Sequence, residues 1–269
     1  MRDAVAALPG VGLADLVEAA ELLARVDRKY VVAIDELPVL LAATPPGTRV
    51  LQIDDRRTFA YRSTYLDTPD LDSFLTSGRS HRRRWKVRSR AYLDTGGSWL
   101  EVKTAGARGQ TIKRRLPMAP QELEGLTPDG SGLVTGIVGA GVADRLRPTL
   151  HTTYRRTTLL LPCSARVTLD VDLAWASART SRTLSRPGLA IVETKTGSTP
   201  SSFDRSLWAL GHRPVRISKY GAGMAALHPD LPRLKWHRAL ERHLDIARPD
   251  RQPTTTPTDH LVHQQRSNP

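Results

Sequence analysis

The chain has a single cysteine, Cys163, among 269 residues. One thiol excludes an internal disulfide framework and a cysteine-based zinc site, and it fits a reducing, cytoplasmic setting. Long apolar runs are missing too: none approaches the roughly 20 residues of a membrane helix. The opening stretch "MRDAVAALPGVGLADLVEAA" is broken by Pro9, Gly10, Gly12 and Asp15, which makes it a poor signal peptide. There is no Gly-x4-Gly-Lys-Ser/Thr loop, so a nucleotide would not be gripped in P-loop fashion. The eight histidines show no H-E-x-x-H or other ligand spacing. Basic and aromatic residues do not alternate as in an RNA-recognition sheet, which argues against nucleic acid as partner.

What the chain has in excess is positive charge. Net charge is +13 and the isoelectric point is about 10.5, which implies a polyanionic partner. With 39% hydrophobic and 25% charged residues the chain is long enough to bury a real core.

Apolar spacing predicts helices over 13–25 and in "DELPVLLAAT", with the strand "VDRKYVVAI" between them. Further strands are expected at "FAYRSTYLD", "RRRWKVRSRAY", "SWLEVKTA" and "TIKRRLPM". Short glycine-bearing joints at 94–97 and 106–110 make residues 82–116 an antiparallel meander. "TPDLDSFLTSG" reads as a helix capped by Thr68 with Pro69 in its first turn. Three more strands follow at "LHTTYRRTTLLL", "ARVTLDVDLAW" and "GLAIVETKTG". Helices are expected over "SSFDRSLWALG" and near "PRLKWHRALERHLDIA". The fold class is therefore α+β, one domain over residues 1–248 with a closed antiparallel β-barrel and flanking helices. Residues 249–269, rich in Pro, Thr, Gln and Asp, are expected to be a disordered tail.

A strand's period of two puts Arg82, Arg84, Lys86, Arg88 and Arg90 on one face of "RRRWKVRSRAY". The same split recurs in neighbouring strands: Glu101 and Lys103 against Leu100 and Val102, Lys113 and Arg115 against Ile112, Glu193 and Lys195 against Val192. Parity alone does not say whether the charged faces point into the barrel. Clustered Arg and Lys with isolated carboxylates, rather than interspersed neutralising pairs, favour the inward arrangement. A lumen of like charges needs a polyanion, together with a divalent metal, to be stable. Asp170 and Asp172 are read as acceptors that hold arginines in preference to further metal ligands, and Trp85 and Trp99 as outer-face packing.

The ordered motifs "RKY" (28–30), "STYLDTPDLDSF" (63–74), "VRSRAY" (87–92), "LEVKT" (100–104), "KRR" (113–115), "YRR" (154–156), "RVTLD" (166–170), "IVETKT" (191–196) and "RISKYGAG" (216–223) resemble those of the VTC domain. This is the polyphosphate polymerase domain of vacuolar transporter chaperone complexes, in the triphosphate tunnel metalloenzyme superfamily. The resemblance runs from about Arg25 to Met224. It implies an eight-stranded antiparallel tunnel that binds ATP, triphosphate and polyphosphate and transfers the γ-phosphoryl group to a growing chain with Mn²⁺ or Mg²⁺. Carried over residue by residue, the phosphate-binding set is Lys29, Arg88, Arg90, Lys103, Lys113, Arg156, Arg166, Arg216 and Lys219, with Arg88, Arg90, Lys103 and Lys219 on the nucleotide. The implied metal ligand is Glu193. Arg155 competes with Arg156 in "YRR", and Arg216 and Lys219 differ in parity, so one must lie past a strand end or bulge. Triphosphatases and cyclases of the superfamily carry E-x-E-x-K where this chain has Arg25-Val26-Asp27-Arg28-Lys29, which favours the polymerase-like branch. A non-catalytic polyphosphate or inositol-phosphate sensor, a metal-dependent triphosphatase and a membrane-protein partner stay open.

Overall fold

The computed structural model describes residues 2–21, 26–106, 111–162 and 164–246. Arg25, Cys163, most of the 106–110 joint and the tail from Pro249 lie outside the described residues. Eleven strands form one sheet: β1 (Gly10–Val11), β2 (Val26–Ala33), β3 (Arg49–Leu51), β4 (Phe59–Asp67), β5 (Trp85–Tyr92), β6 (Ser98–Ala105), β7 (Thr111–Met118), β8 (Arg147–Leu160), β9 (Arg166–Ser177), β10 (Thr183–Arg186) and β11 (Leu189–Thr196). Around it lie α1 (Arg2–Ala6), α2 (Leu13–Glu21), α3 (Leu37–Ala42), α4 (Asp72–Gly78), α5 (Pro128–Val138), α6 (Ala140–Ala143), α7 (Ser202–Ala209), α8 (Lys219–Leu227) and α9 (His237–His243). None of the described helices is long and apolar enough to cross a membrane.

Eight strands follow one another in the order β2-β11-β9-β8-β4-β5-β6-β7, all neighbours antiparallel. Among the described residues no ladder joins β2 to β7, so the sheet is an open, curled trough rather than the closed barrel the sequence suggests. The β7 edge carries exposed Lys113, Arg114 and Arg115, and cations along an edge oppose further strand addition.

The apolar faces point outward and are covered. Val87, Leu100, Val102 and Trp85 pack under Val134 of α5 and Ala143 of α6. Tyr30, Val192, Leu169 and Val167 pack under Leu40 of α3 and Leu207 of α7. Trp85 is thus outer-face packing, as expected. Trp99 is not: its partners in the ladder are Arg90 and Pro117, so it shares the concave face with Glu101, and Arg115 stacks on its ring at 4.5 Å.

The concave side is plugged at one end by α8. Tyr220 stacks on Tyr65 at 5.0 Å and donates to Asp67, a fully buried carboxylate that also accepts from the backbone amides of Thr68, Ser73 and Phe74. Gly221 and Gly223 permit this close approach. A Cβ on Gly221 would lie 2.1 Å from the Trp236 ring, and one on Gly223 would lie 2.4 Å from Trp175. One helix start and one segment also differ from expectation. Helix α4 begins at Asp72, with Leu71 in the left-handed region at φ 59°, while the Thr68 hydroxyl accepts from the Asp72 amide and donates to its carboxylate. The segment after residue 213 yields no strand, so Arg216 lies in an irregular stretch and Lys219 opens α8, which removes the parity conflict between them.

Candidate functional site

A cavity of about 1460 Å³ occupies the trough. All ten residues expected from the sequence line it: Lys29 from β2, Arg88 and Arg90 from β5, Lys103 from β6, Lys113 from β7, Arg156 from β8, Arg166 from β9, Glu193 from β11, Arg216, and Lys219 from α8. Strands at opposite ends of the sheet contribute, so the trough wraps around the space although it is not hydrogen-bonded shut. The lining holds fourteen lysines and arginines against three carboxylates. Arg155 points away and is exposed, which settles the "YRR" ambiguity in favour of Arg156. Arg82 precedes β5 and is exposed, so it does not join the cationic face; Arg84 also precedes the strand but still reaches the cavity.

Three carboxylates, Glu101 and Asp170 buried and Glu193 partly so, organise the cations, and each serves at least two. Glu101, fully buried, takes Arg88 at 2.5 Å and Lys113 at 2.6 Å, with Arg90 at 3.9 Å. The register accounts for this, since Glu101 lies directly opposite Arg88 across β5 and β6. Asp170, 1% exposed, takes both arms of Arg156 at 2.6 and 2.8 Å and also Lys219. Glu193 takes Lys29 at 2.7 Å and Lys195 at 3.0 Å through one oxygen. Asp172, by contrast, sits exposed at φ 53° where the β8–β9 register slips, and among the described residues no arginine is paired with it. Tyrosines floor the centre: the Arg90 and Arg156 guanidinium groups lie 5.5 Å from the Tyr61 ring, and Lys219 lies 4.3 Å from Tyr154.

Burial would raise each of these carboxyl pKa values, but the cations outweigh it. Arg88, then Arg90 and Lys113, hold Glu101 well below the carboxylate range. Arg156 and Lys219 hold Asp170 at about 2. Lys29, Lys195 and Arg156 hold Glu193 well below normal. Burial, reinforced by Arg88 and Arg90, pushes Lys103 well down and outweighs the opposing pull of Glu101 and Glu193. Since the carboxyl pKa values are lower folded than unfolded, the folded state binds fewer protons in acid. Their stabilisation is present above about pH 4 and drains as pH falls, the Asp170 share ending near pH 2. Thermal melts from about pH 5 downward should therefore show a steep fall in Tm through that window. A flat profile would show that the three carboxylates do not stabilise the fold.

Lys86, Glu101 and Lys195, placed on the charged faces by parity but given no phosphate or metal role, line the cavity, and so does Lys235, which the sequence did not single out. For Glu101 a signal existed: a lone carboxylate in "LEVKT" on the face of Lys103, between two core residues. For Lys235, on the short turn before α9, there was none.

A curled antiparallel sheet around a cation-lined cavity is the fold of the triphosphate tunnel proteins. HpAC1 from Hippeastrum, a candidate adenylyl cyclase with a dominant triphosphatase activity, shares it at 14% identity and a TM-score of 0.50, over 78% of this chain and 98% of that one. A candidate adenylate cyclase from Bacillus halodurans is similar at 12% identity and a TM-score of 0.48, over 73% and 94% of the two chains. Within this class, the model of the VTC domain matches residues 24–228, and the chain belongs to the VTC domain family. No curated protein is similar enough to count as a relative.

Proposed function

We propose that the chain is a polyphosphate polymerase-like phosphotransferase, with ATP as phosphoryl donor and an inorganic phosphate chain as acceptor. One observation carries the reading: a single cavity gathers fourteen cations, ten from the sheet and four from the segments around it, in a VTC-family chain. Phosphoryl transfer asks little covalent work of a protein; it asks for in-line positioning and for neutralisation of charge spread over the phosphate oxygens. Guanidinium forks at Arg88, Arg90 and Arg156 suit bidentate phosphate contacts, and Lys29, Lys103, Lys113 and Lys219 add point charges. An anionic oxygen at the end of the acceptor chain attacks the γ-phosphorus. The bond to the bridging β,γ-oxygen breaks and ADP leaves with that electron pair, so no proton has to move. Glu101 and Asp170 act on the cations rather than on substrate, holding each side chain in place before the phosphates arrive.

The residues do not form a resident metal site. Among the described residues no three His, Cys, Asp or Glu side chains gather, and the Glu193 oxygen that faces Lys29 also accepts Lys195. Hard divalent cations commonly bind through one or two carboxylates plus substrate phosphates. Mn²⁺ or Mg²⁺ therefore fits as part of the metal–ATP substrate, with Glu193 the carboxylate that meets it. Arg25 at the first carboxylate position of the hydrolase signature is consistent with this sparse acidic set.

Incubation with ATP and Mn²⁺ should give ADP and an acid-stable phosphate ladder on a gel. Glu193→Gln should abolish the ladder while triphosphate binding stays intact or tightens, since a negative charge leaves a cationic lumen. Free phosphate in place of polymer would mean a triphosphatase, and bound triphosphate with no ADP would mean a sensor. An unaffected rate in Glu193→Gln would make Glu193 structural.

A further inference from the structure

Ten of the fourteen lining cations fall into two sets. Six of them, Lys29, Arg88, Lys113, Arg156, Lys195 and Lys219, are ion-paired to Glu101, Asp170 or Glu193. Four others, Arg84, Lys86, Arg216 and Lys235, meet no carboxylate within 4 Å among the described residues. Their polar partners are different: Arg84 donates to the His81 carbonyl, Lys86 to the Ser218 hydroxyl at 3.0 Å, and Lys235 to the Ser77 carbonyl. They also lie together in space. Lys86 is one inward-facing step along β5 from Arg88, about 7 Å toward the start of the strand, and Arg84 is one step further. Lys235 comes in from the turn packed on α8, and Arg216 from the segment leading into that helix. Exposure rises in the same direction, from buried Arg90 through half-buried Lys86 to exposed Arg216, which places the group at a mouth of the cavity.

We propose that Arg84, Lys86, Arg216 and Lys235 form a second anion subsite at this mouth, which holds the phosphates of an inorganic chain beyond the three held at the carboxylate-paired centre. The inference rests on the phosphate-chain reading of the cavity and adds to it a division of labour. Where a carboxylate already pairs a cation, the protein fixes the side chain and supplies part of the counter-charge. At the mouth no counter-charge is built in, so an extended polyanion has most to offer there. Chain length is then recognised at the mouth, not at the centre.

The charge state of the empty mouth points the same way. Burial, then Lys29, Lys235, Arg88 and Arg84, push Lys86 down to about 7. The groups facing it from β2, β5, the segment before β5 and the turn before α9 are all cations, as is its ladder partner Lys103 on β6, and the cap of α8 presents the Ser218 hydroxyl, which also accepts from the Gly221 amide. Lys86 is thus partly neutral near pH 7 when the mouth is empty. A polyanion arriving beside it favours the charged ammonium and draws in a proton.

The test is calorimetry with the full chain, titrating inorganic triphosphate and a polyphosphate of about 15 units in two buffers of different ionisation enthalpy near pH 7.5. Wild type should bind the long chain at least about tenfold more tightly than triphosphate after correction for chain statistics, with proton uptake for the long chain only. Lys86→Met and, separately, Lys235→Met should bring the two affinities to within about twofold, and Lys86→Met should abolish the uptake. Lys86→Met removes an unpaired half-buried charge and should not unfold the protein; Lys235→Met tests the subsite independently if it does. The proposal falls if wild type shows no preference for the long chain, or if both variants keep the wild-type ratio. Wild type that binds neither ligand overturns the phosphate-chain reading itself, and the subsite with it.

Discussion

Glu101→Ala should lower the unfolding free energy by about 3–5 kcal/mol, the usual cost of removing one partner from a buried ion pair. The side chain is fully buried and holds Arg88 and Lys113 with Arg90 close by, so its removal leaves buried cations facing one another without a counter-ion. Urea denaturation reads the loss directly. The same experiment in saturating triphosphate discriminates between causes: the ligand supplies the missing negative charge, so it should raise the midpoint of Glu101→Ala by more than that of wild type. Glu101→Gln keeps the shape and a hydrogen-bond acceptor and should recover part of the loss. Equal stabilisation of variant and wild type by triphosphate would mean that Glu101 contributes only packing.

The second large effect concerns turnover. Arg90→Ala and Lys219→Ala should each reduce polyphosphate formation by about 100-fold or more, the scale seen when one preorganised contact to a developing charge is removed. Neither should unfold the trough. Arg90 is 3.9 Å from its nearest carboxylate, and Asp170 keeps Arg156 when Lys219 is gone, so each substitution deletes one charge from a repulsive cluster. Product by gel and Tm by scanning fluorimetry separate the two readouts. A drop in Tm of more than about 10 °C alongside lost product would assign the residue to the fold instead, since about 1 kcal/mol moves Tm of a chain this size by only about 2–4 °C.

Much of the sheet was legible in one dimension. The boundaries of β4, β6 and β7 coincide with "FAYRSTYLD", "SWLEVKTA" and "TIKRRLPM", runs of eight or nine residues. The two- to four-residue strands β1, β3 and β10 carry too few residues to show a period, and α8 was hidden because glycine and alanine dominate it.

The cations that line the cavity were found by parity and by ordered motifs; their partners were not. That Glu101 holds Arg88, or that Asp170 holds Arg156 and Lys219, depends on which residues stand opposite across a ladder and on where α8 enters the trough. Chain positions 14 and 49 residues apart do not announce such contacts.

By itself, then, the sequence determined that several strands have one cationic and one apolar face, and that the chain's charge calls for a polyanion. Only the tertiary structure decided that the cationic faces are concave, that the trough stays open between β2 and β7, and which cations meet a carboxylate. A period of two separates the faces of a strand but carries no sign for curvature. The sign comes from the twist of eight paired strands and from which face α3, α5 and α7 cover, and both are properties of the assembled sheet.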